Sequence, residues 1–204
     1  MISKNSLIIF CILFLVYGCA ANKPTIPIDQ ASSKPGAQVT FRGNSLNLLG
    51  SPISVGKPLP SVELVDAMTM KEVNLSKERG SVLFLSIVPS LDTAVCEEQT
   101  HTLGEKGEKL PKDVKCIVIS RDTPFAQKRF AKEAKLTNLQ YLSDYKQGDF
   151  GRSAGLLTEG LMLLARSVIL VDKQGIVRYI QVVPELSHLP DMEKAFEKAI
   201  ELAK

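Results

Sequence analysis

Tryptophan is absent from the 204 residues, histidine occurs twice and cysteine four times. The two histidines, His101 and His188, lie far apart and lack metal-ligand spacing, so the chain offers no metal centre, and each reads as a surface or helix residue. No Cys-x-x-Cys pair occurs, which leaves a two-cysteine redox motif without candidates. Charge is nearly balanced, 25 Lys and Arg against 22 Asp and Glu for a net +3, with no basic block. That balance argues against nucleic acid as a partner. No internal repeat is visible, and no organic cofactor motif stands out.

What is present is ordinary for a globular chain: 45 % hydrophobic and 23 % charged residues, enough for one domain plus extensions. The N-terminus departs from that average. Lys4 precedes the continuous apolar run "LIIFCILFLVY", Leu7 to Tyr17. The run is too short to span a bilayer as a helix but suits the apolar region of a secretion signal. It ends in "LVYGCAANKP", where Gly18 precedes Cys19. This resembles the lipobox of bacterial lipoproteins, although Val16 and Tyr17 are unusual there. The resemblance implies a signal peptide over 1–18 and a lipid on Cys19, holding the protein on a membrane surface of the bacterial cell envelope, periplasm-facing in a Gram-negative cell. The residues alone also allow an ordinary cleaved signal or an uncleaved anchor. Each of these readings takes the chain out of the cytoplasm.

Residues 19–37, rich in Ala, Ser and Pro, read as a flexible tether. Residues 38–53 contain a hairpin pattern, Val39–Arg42 and Ser45–Leu49 around Gly43–Asn44. Strand and helix signals then alternate over 54–204. Val62–Val65 and Val73–Leu75 are short strand candidates. Ser81–Val88 and Val114–Ser120 are apolar enough for strands buried on both faces. Helical patterns cover Ala94–Leu110, weakened by Gly104 and Gly107, and Pro124–Lys135 and Pro190–Ala203. Ser167–Val171 and Ile176–Val182 flank the turn "DKQG". The order predicts an α/β, thioredoxin-like domain with a mixed central sheet flanked by helices.

On this map Cys96, in "VPSLDTAVCEEQT", lies just past a buried strand and opens a helix. With Thr93 as N-cap, Cys96 is the third helical residue, and the Thr93 hydroxyl is expected to donate to its sulfur. The helix N-terminus also favours an anion, and the thiolate is the reactive form of a thiol. Glu97 and Glu98 oppose a thiolate, so a nearby cation is required. Arg166, in "LLARSVILVD", directly precedes a predicted strand and is the candidate. From the residues alone, Cys96 as a small buried residue and Arg166 as a surface charge stay open alternatives.

"PSLDTAVC" matches Pro-x-x-x-Thr-x-x-Cys. Together with "ISRDTPFAQKRF", "LLARSVILVD" and the C-terminal "VVPELSHLPDMEKAFEKAI", it resembles the thiol peroxidase branch of the peroxiredoxins. The likeness runs from the Val39 hairpin to the C-terminus. It implies that Cys96 is the peroxidatic nucleophile, attacking a hydroperoxide and becoming a sulfenic acid. It implies that Thr93 hydrogen-bonds thiolate and peroxide, that Arg166 stabilises the developing charge, and that Pro89 shields the site. It also implies a homodimer and no cofactor.

The chain departs from that branch at Ala131, in "PFAQKRFAKEA", where a resolving cysteine is usual. Cys11 falls within the signal-like run and needs no role. Cys116 lies within "KCIVIS", a predicted core strand, and reads as a small core residue. A one-cysteine cycle follows, with the Cys96 sulfenic acid reduced by an external small thiol or a thioredoxin-like partner. The alternatives are an envelope thiol sensor or relay with little turnover, and a structural lipoprotein on a retired scaffold. The complete Pro89, Thr93, Cys96 and Arg166 set argues against the last.

Overall fold

The structure is a computed structural model that describes residues 25–204. The signal region 1–18 and Cys19 lie outside the described residues. In chain order the elements are β1 (Ile28–Asp29), β2 (Gln38–Phe41), β3 (Asn44–Leu49), β4 (Leu64–Asp66), β5 (Glu72–Val73), β6 (Val82–Ile87), α1 (Ala94–Gly107), β7 (Val114–Ser120) and α2 (Pro124–Ala134). They continue with β8 (Gln140–Ser143), α3 (Asp149–Ala154), β9 (Leu157–Thr158), β10 (Ser167–Val171), β11 (Val177–Val182), β12 (Leu189–Pro190) and α4 (Met192–Ala203).

β6 is apolar at all but one position because it is central, and every one of its residues is buried. The main sheet runs β11-β10-β6-β7-β8-β4-β5. β6, β7 and β8 are parallel, while β10, β11, β4 and β5 add antiparallel pairs, which gives the mixed thioredoxin-like sheet that the sequence predicts. Period-2 alternation sorts β6 between two cores. Leu83, Leu85 and Ile87 face one cluster, with Val39 and Leu48 of the hairpin and Phe150 of α3. Phe84 faces the other, with Cys96 and Leu103 of α1 and Phe196 of α4. The β2–β3 hairpin pairs with β9 and so shares the first core.

The glycines that weaken α1 as a helix have a packing reason. A Cβ on Gly104 would meet the Leu136 side chain at 2.5 Å, and one on Gly107 would meet Cys116 Sγ at 3.0 Å. Close helix–core approach outweighs the helix-propensity loss there. α2 starts as its sequence announces, with Pro124 at its first position and the Thr123 hydroxyl accepting from Ala126 N. β8, α3 and β9 carry no periodic signal of their own, each being six residues or fewer. Tertiary burial makes them.

Three expectations are corrected. The hairpin turn is Arg42–Gly43, not Gly43–Asn44, since Phe41 pairs with Asn44. Both turn residues have positive φ, 51° and 78°, as a two-residue turn that matches strand twist requires. The tether expected over 19–37 is not free over its described part. Leu189 N donates to Pro27 O at 2.8 Å, β1 runs parallel to β12, Ser33 N donates to Val182 O and Gly36 N to Gly155 O. Its composition lacks apolar periodicity because backbone hydrogen bonds hold it, partly by covering β11, an edge strand. Likewise Leu75, expected in a strand, opens a 3₁₀ turn capped by Asn74.

The hairpin tip is fastened to the loop after β11 by one carboxylate. Glu185 accepts from Arg42 N at 2.9 Å, Gly43 N at 3.2 Å, Thr40 Oγ1 at 2.8 Å and both Ser187 N and Oγ. Burial pushes its carboxyl up, but these donors outweigh it and hold it down at about 2, against an ordinary 4.5. A depressed carboxyl contributes stability that is fully present above its unfolded value and lost as pH falls through the folded one. Glu185→Gln would turn an NH₂ onto N–H donors. We expect it to lose on the order of 2 kcal/mol of stability at pH 7. Its deficit against wild type should shrink between pH 4.5 and 2 in chemical denaturation series. An equal deficit at both ends of that range would refute the carboxylate clamp.

Candidate active site

Cys96 sits where the sequence places it, in the first turn of α1, and is fully buried. Arg166 precedes β10, the neighbour of β6, so the sheet brings it under the start of α1. Its side chain is 2 % exposed and fully engaged. Nε donates to Leu186 O at 3.0 Å, Nη1 to Gln99 Oε1 at 2.8 Å and Nη2 to Cys96 Sγ at 3.3 Å. The surface-charge alternative for Arg166 is thereby removed. Glu97 and Glu98, which oppose a thiolate, are exposed. Glu97 faces His101 at 3.8 Å, in water, where its field is screened.

Gln99 is a site residue that the sequence reading misses. It is fully buried, and its Nε2 donates to Ser86 Oγ at 2.8 Å. That bond fixes which end of the amide faces Arg166. Ser86 is the one polar residue of β6, on the α1 side of the sheet. The signal was available: Gln99 is three residues past Cys96 and therefore on the same helix face.

Thr93 is the N-cap residue but makes no side-chain cap bond. Its hydroxyl donates to Ser90 O at 3.1 Å, not to the Cys96 sulfur, which corrects the expected contact. The reason is local: residues 90–93 form a tight turn that the hydroxyl closes. Asp122, also missed, braces the same loop from the β7–α2 connection. It accepts from Ser90 Oγ and Leu91 N, both at 2.7 Å, and from Ser120 Oγ at 2.8 Å.

Pro89, Thr93 and Arg166 line one cleft of about 260 Å³, walled largely by apolar side chains including Phe41, Leu163 and Leu186. Cys96 does not line it and is joined to it through Arg166. The structure thus gathers Cys96, Arg166, Thr93 and Pro89 around one opening. His101 and His188 are elsewhere, the latter against Asp29. Among the described residues no three His, Cys, Asp or Glu side chains form a metal-binding group.

The two cysteines among the described residues are both free. Burial pushes the Cys116 thiol up to about 11. Its sulfur packs beside Gly107, at the far end of α1 from Cys96. At 1.5 Å per residue that separation is roughly 16 Å along the helix, beyond the ~7 Å that Cα atoms of a disulfide span. Ala131 is buried in α2, within the same core cluster as Cys96.

A thioredoxin-like sheet that aims a buried guanidinium at a helix-start cysteine defines a thiol-based redox protein. The comparisons are specific. The redoxin family model matches residues 54–199. A thiol peroxidase of Staphylococcus saprophyticus is 41 % identical over 161 residues, covering 79 % of this chain and 96 % of the relative. One from Bacillus subtilis is 36 % identical, covering 82 % and 99 %. A peroxiredoxin-like protein from Aquifex aeolicus superposes with a TM-score of 0.77 at 32 % identity, over 84 % of this chain and 99 % of that one. The chain belongs to the redoxin family, in the thiol peroxidase branch of the peroxiredoxins.

Two expectations follow for the thiols. Arg166→Gln should lower the rate of Cys96 modification on the order of 10²-fold, as loss of a preorganised cation does. Cys116 should stay unmodified by iodoacetamide through pH 9 in folded protein, since its thiol is neutral below about 11. Site-resolved mass spectrometry reads both, and early labelling of Cys116 would refute the second.

Proposed function

We propose that the protein is a thiol peroxidase that reduces hydrogen peroxide and organic hydroperoxides. The observation that carries this reading is the 3.3 Å contact of Arg166 Nη2 with Cys96 Sγ beneath a cleft. The Cys96 thiolate attacks the terminal peroxide oxygen. An S–O bond forms as the O–O bond breaks, giving a sulfenic acid and an alkoxide or hydroxide that takes a proton from water. Arg166 pairs with the thiolate before attack and with the charge passing onto the peroxide oxygens afterwards. The Thr93 hydroxyl directs its hydrogen to Ser90 O, so its oxygen keeps lone pairs to accept from the hydroperoxide O–H. This replaces donation to the sulfur. The apolar walls formed by Phe41, Leu163 and Leu186 support bulky organic hydroperoxides as substrates alongside hydrogen peroxide.

Resolution is external in this reading. Ala131 offers no sulfur, and the distance to Cys116 supports the same conclusion. A thiol condenses with the sulfenic acid, releasing water and leaving a mixed disulfide. A second thiol, or a thioredoxin-like protein, then reduces it. The lipobox-like "LVYGC" supports lipid anchoring through Cys19 in the cell envelope, and the family resemblance supports a homodimer. The burial of Cys96 favours a second reading, an envelope thiol relay with little turnover, because any partner must wait for the first turn of α1 to open.

Stopped-flow reaction with hydrogen peroxide and a bulky organic hydroperoxide, with sulfenate trapping, tests the reading. We expect Cys96→Ser to abolish peroxide reduction while leaving thermal stability within about 1 kcal/mol of wild type. Steady turnover with an added dithiol separates peroxidase from relay. After peroxide treatment, a non-reducing mass map should show mixed disulfides at Cys96, and a high yield of Cys96–Cys116 disulfide from folded protein would overturn the one-cysteine cycle.

A further inference from the structure

The loop after β11 holds the reactive arginine, and the N-terminal strap holds that loop. Leu186 O accepts from Arg166 Nε, and Val183 N donates to Arg166 O at 2.9 Å. The same loop is gripped from outside by residues 27–33. Asp29 lies with Oδ1 3.0 Å from His188 Nδ1 and with Oδ2 3.4 Å from Glu185 N. Buried Gln181 donates through Nε2 to Asp29 O at 2.7 Å and to Ala31 O at 3.2 Å. Ser32 Oγ accepts from Val182 N at 3.0 Å. Asp29 thus touches residues on both sides of Leu186, the residue whose carbonyl fixes the guanidinium.

The strap's attachment is polar. Ile28 is 57 % exposed, so polar contacts rather than apolar burial hold it. It also lies ahead of the region that the family model matches, which begins at residue 54. Glu185 anchors the other side of the loop to the hairpin tip. With the strap in place the loop is clamped from two sides, and with the strap released only the hairpin clamp remains.

We propose that the strap is a positioning element for the reactive centre and that Asp29 is its positioning residue, acting through residues 185–188 on Arg166. The proposal rests on the Cys96–Arg166 pair being the reacting centre. A docked strap holds Leu186 O where it orients the guanidinium toward the sulfur, and a loosened strap lets the guanidinium turn away from it.

The test uses the full chain. For Asp29→Ala we expect both sulfenate formation with hydrogen peroxide and iodoacetamide labelling at Cys96 to slow by roughly three- to tenfold. Asp29→Asn, which keeps an acceptor, should recover most of that loss. In an Arg166→Gln background Asp29→Ala should add less than about twofold, because the path it acts through is gone. Ser32→Ala, which removes the acceptor for Val182 N, serves as a second strap variant with the same dependence on Arg166. Wild-type rates in both strap variants, or the same fold-loss with and without Arg166, would overturn the proposal. A wild-type protein inert to peroxide whose alkylation still follows this pattern would remove the proposed function and leave the coupling standing.

Discussion

The site turns on one buried guanidinium. A cation taken out of water is expensive unless its donors are satisfied and its charge is met. Arg166 meets the first condition through three acceptors: Leu186 O in the loop after β11, and Gln99 Oε1 and Cys96 Sγ, both on α1. Of its acceptors the sulfur alone is able to carry an opposite charge, since the other two, a carbonyl and an amide, are neutral. Gln99, oriented by Ser86, is a second oriented acceptor on the guanidinium beside Leu186 O, and the sheet places β10 next to β6 beneath α1.

Much of this was legible in the chain. The buried strands over 82–87 and 114–120 announce themselves by continuous apolar runs, since a strand covered on both faces has no polar side to alternate. Pro124 and Thr123 mark a helix start by their own chemistry. Cys96 and Arg166 stand out as candidates because both sit at element boundaries that the pattern locates, and the resemblance to the thiol peroxidases chooses between their open alternatives. What could not be read has a common cause. Gln99 and Asp122 act through hydrogen bonds made across the fold, and amides and carboxylates are common enough that only three-dimensional partners distinguish them. The strap was misread for a related reason: backbone hydrogen bonds leave no periodicity in a sequence rich in Ser, Pro and Ala. Thr93 was placed at the correct cap position but with the wrong partner, because the turn at 90–93 gives its hydroxyl a nearer carbonyl.

The two thiols show how environment separates identical groups. Cys116 packs against apolar neighbours with no cation among its hydrogen-bond partners, and burial alone drives it toward the neutral form. Cys96 is more deeply buried, yet it has Arg166 against its sulfur. Burial therefore does not by itself mark a thiol as inert. The identity of the atom touching the sulfur decides.

Burial of Cys96 bears on the external resolution proposed above, in which another thiol must reach the sulfur. The cleft reaches Arg166 but not the buried sulfur, so a thiol carried by another molecule needs more room than the closed structure gives. The start of α1 is suited to supply it. Its N-cap residue makes no side-chain cap bond, and such a bond is typically worth about 1 kcal/mol. Its first turn exposes Glu97 and Glu98, so unwinding it uncovers little apolar surface apart from Cys96 itself. The contact of the sulfur with Arg166 ties this turn to the rest of the site, and oxidation of Cys96 would alter it. In a chain with alanine at position 131, no second cysteine on α2 waits to capture the released sulfur. Under the proposed external resolution, an opened first turn would present the sulfur to a thiol from solvent.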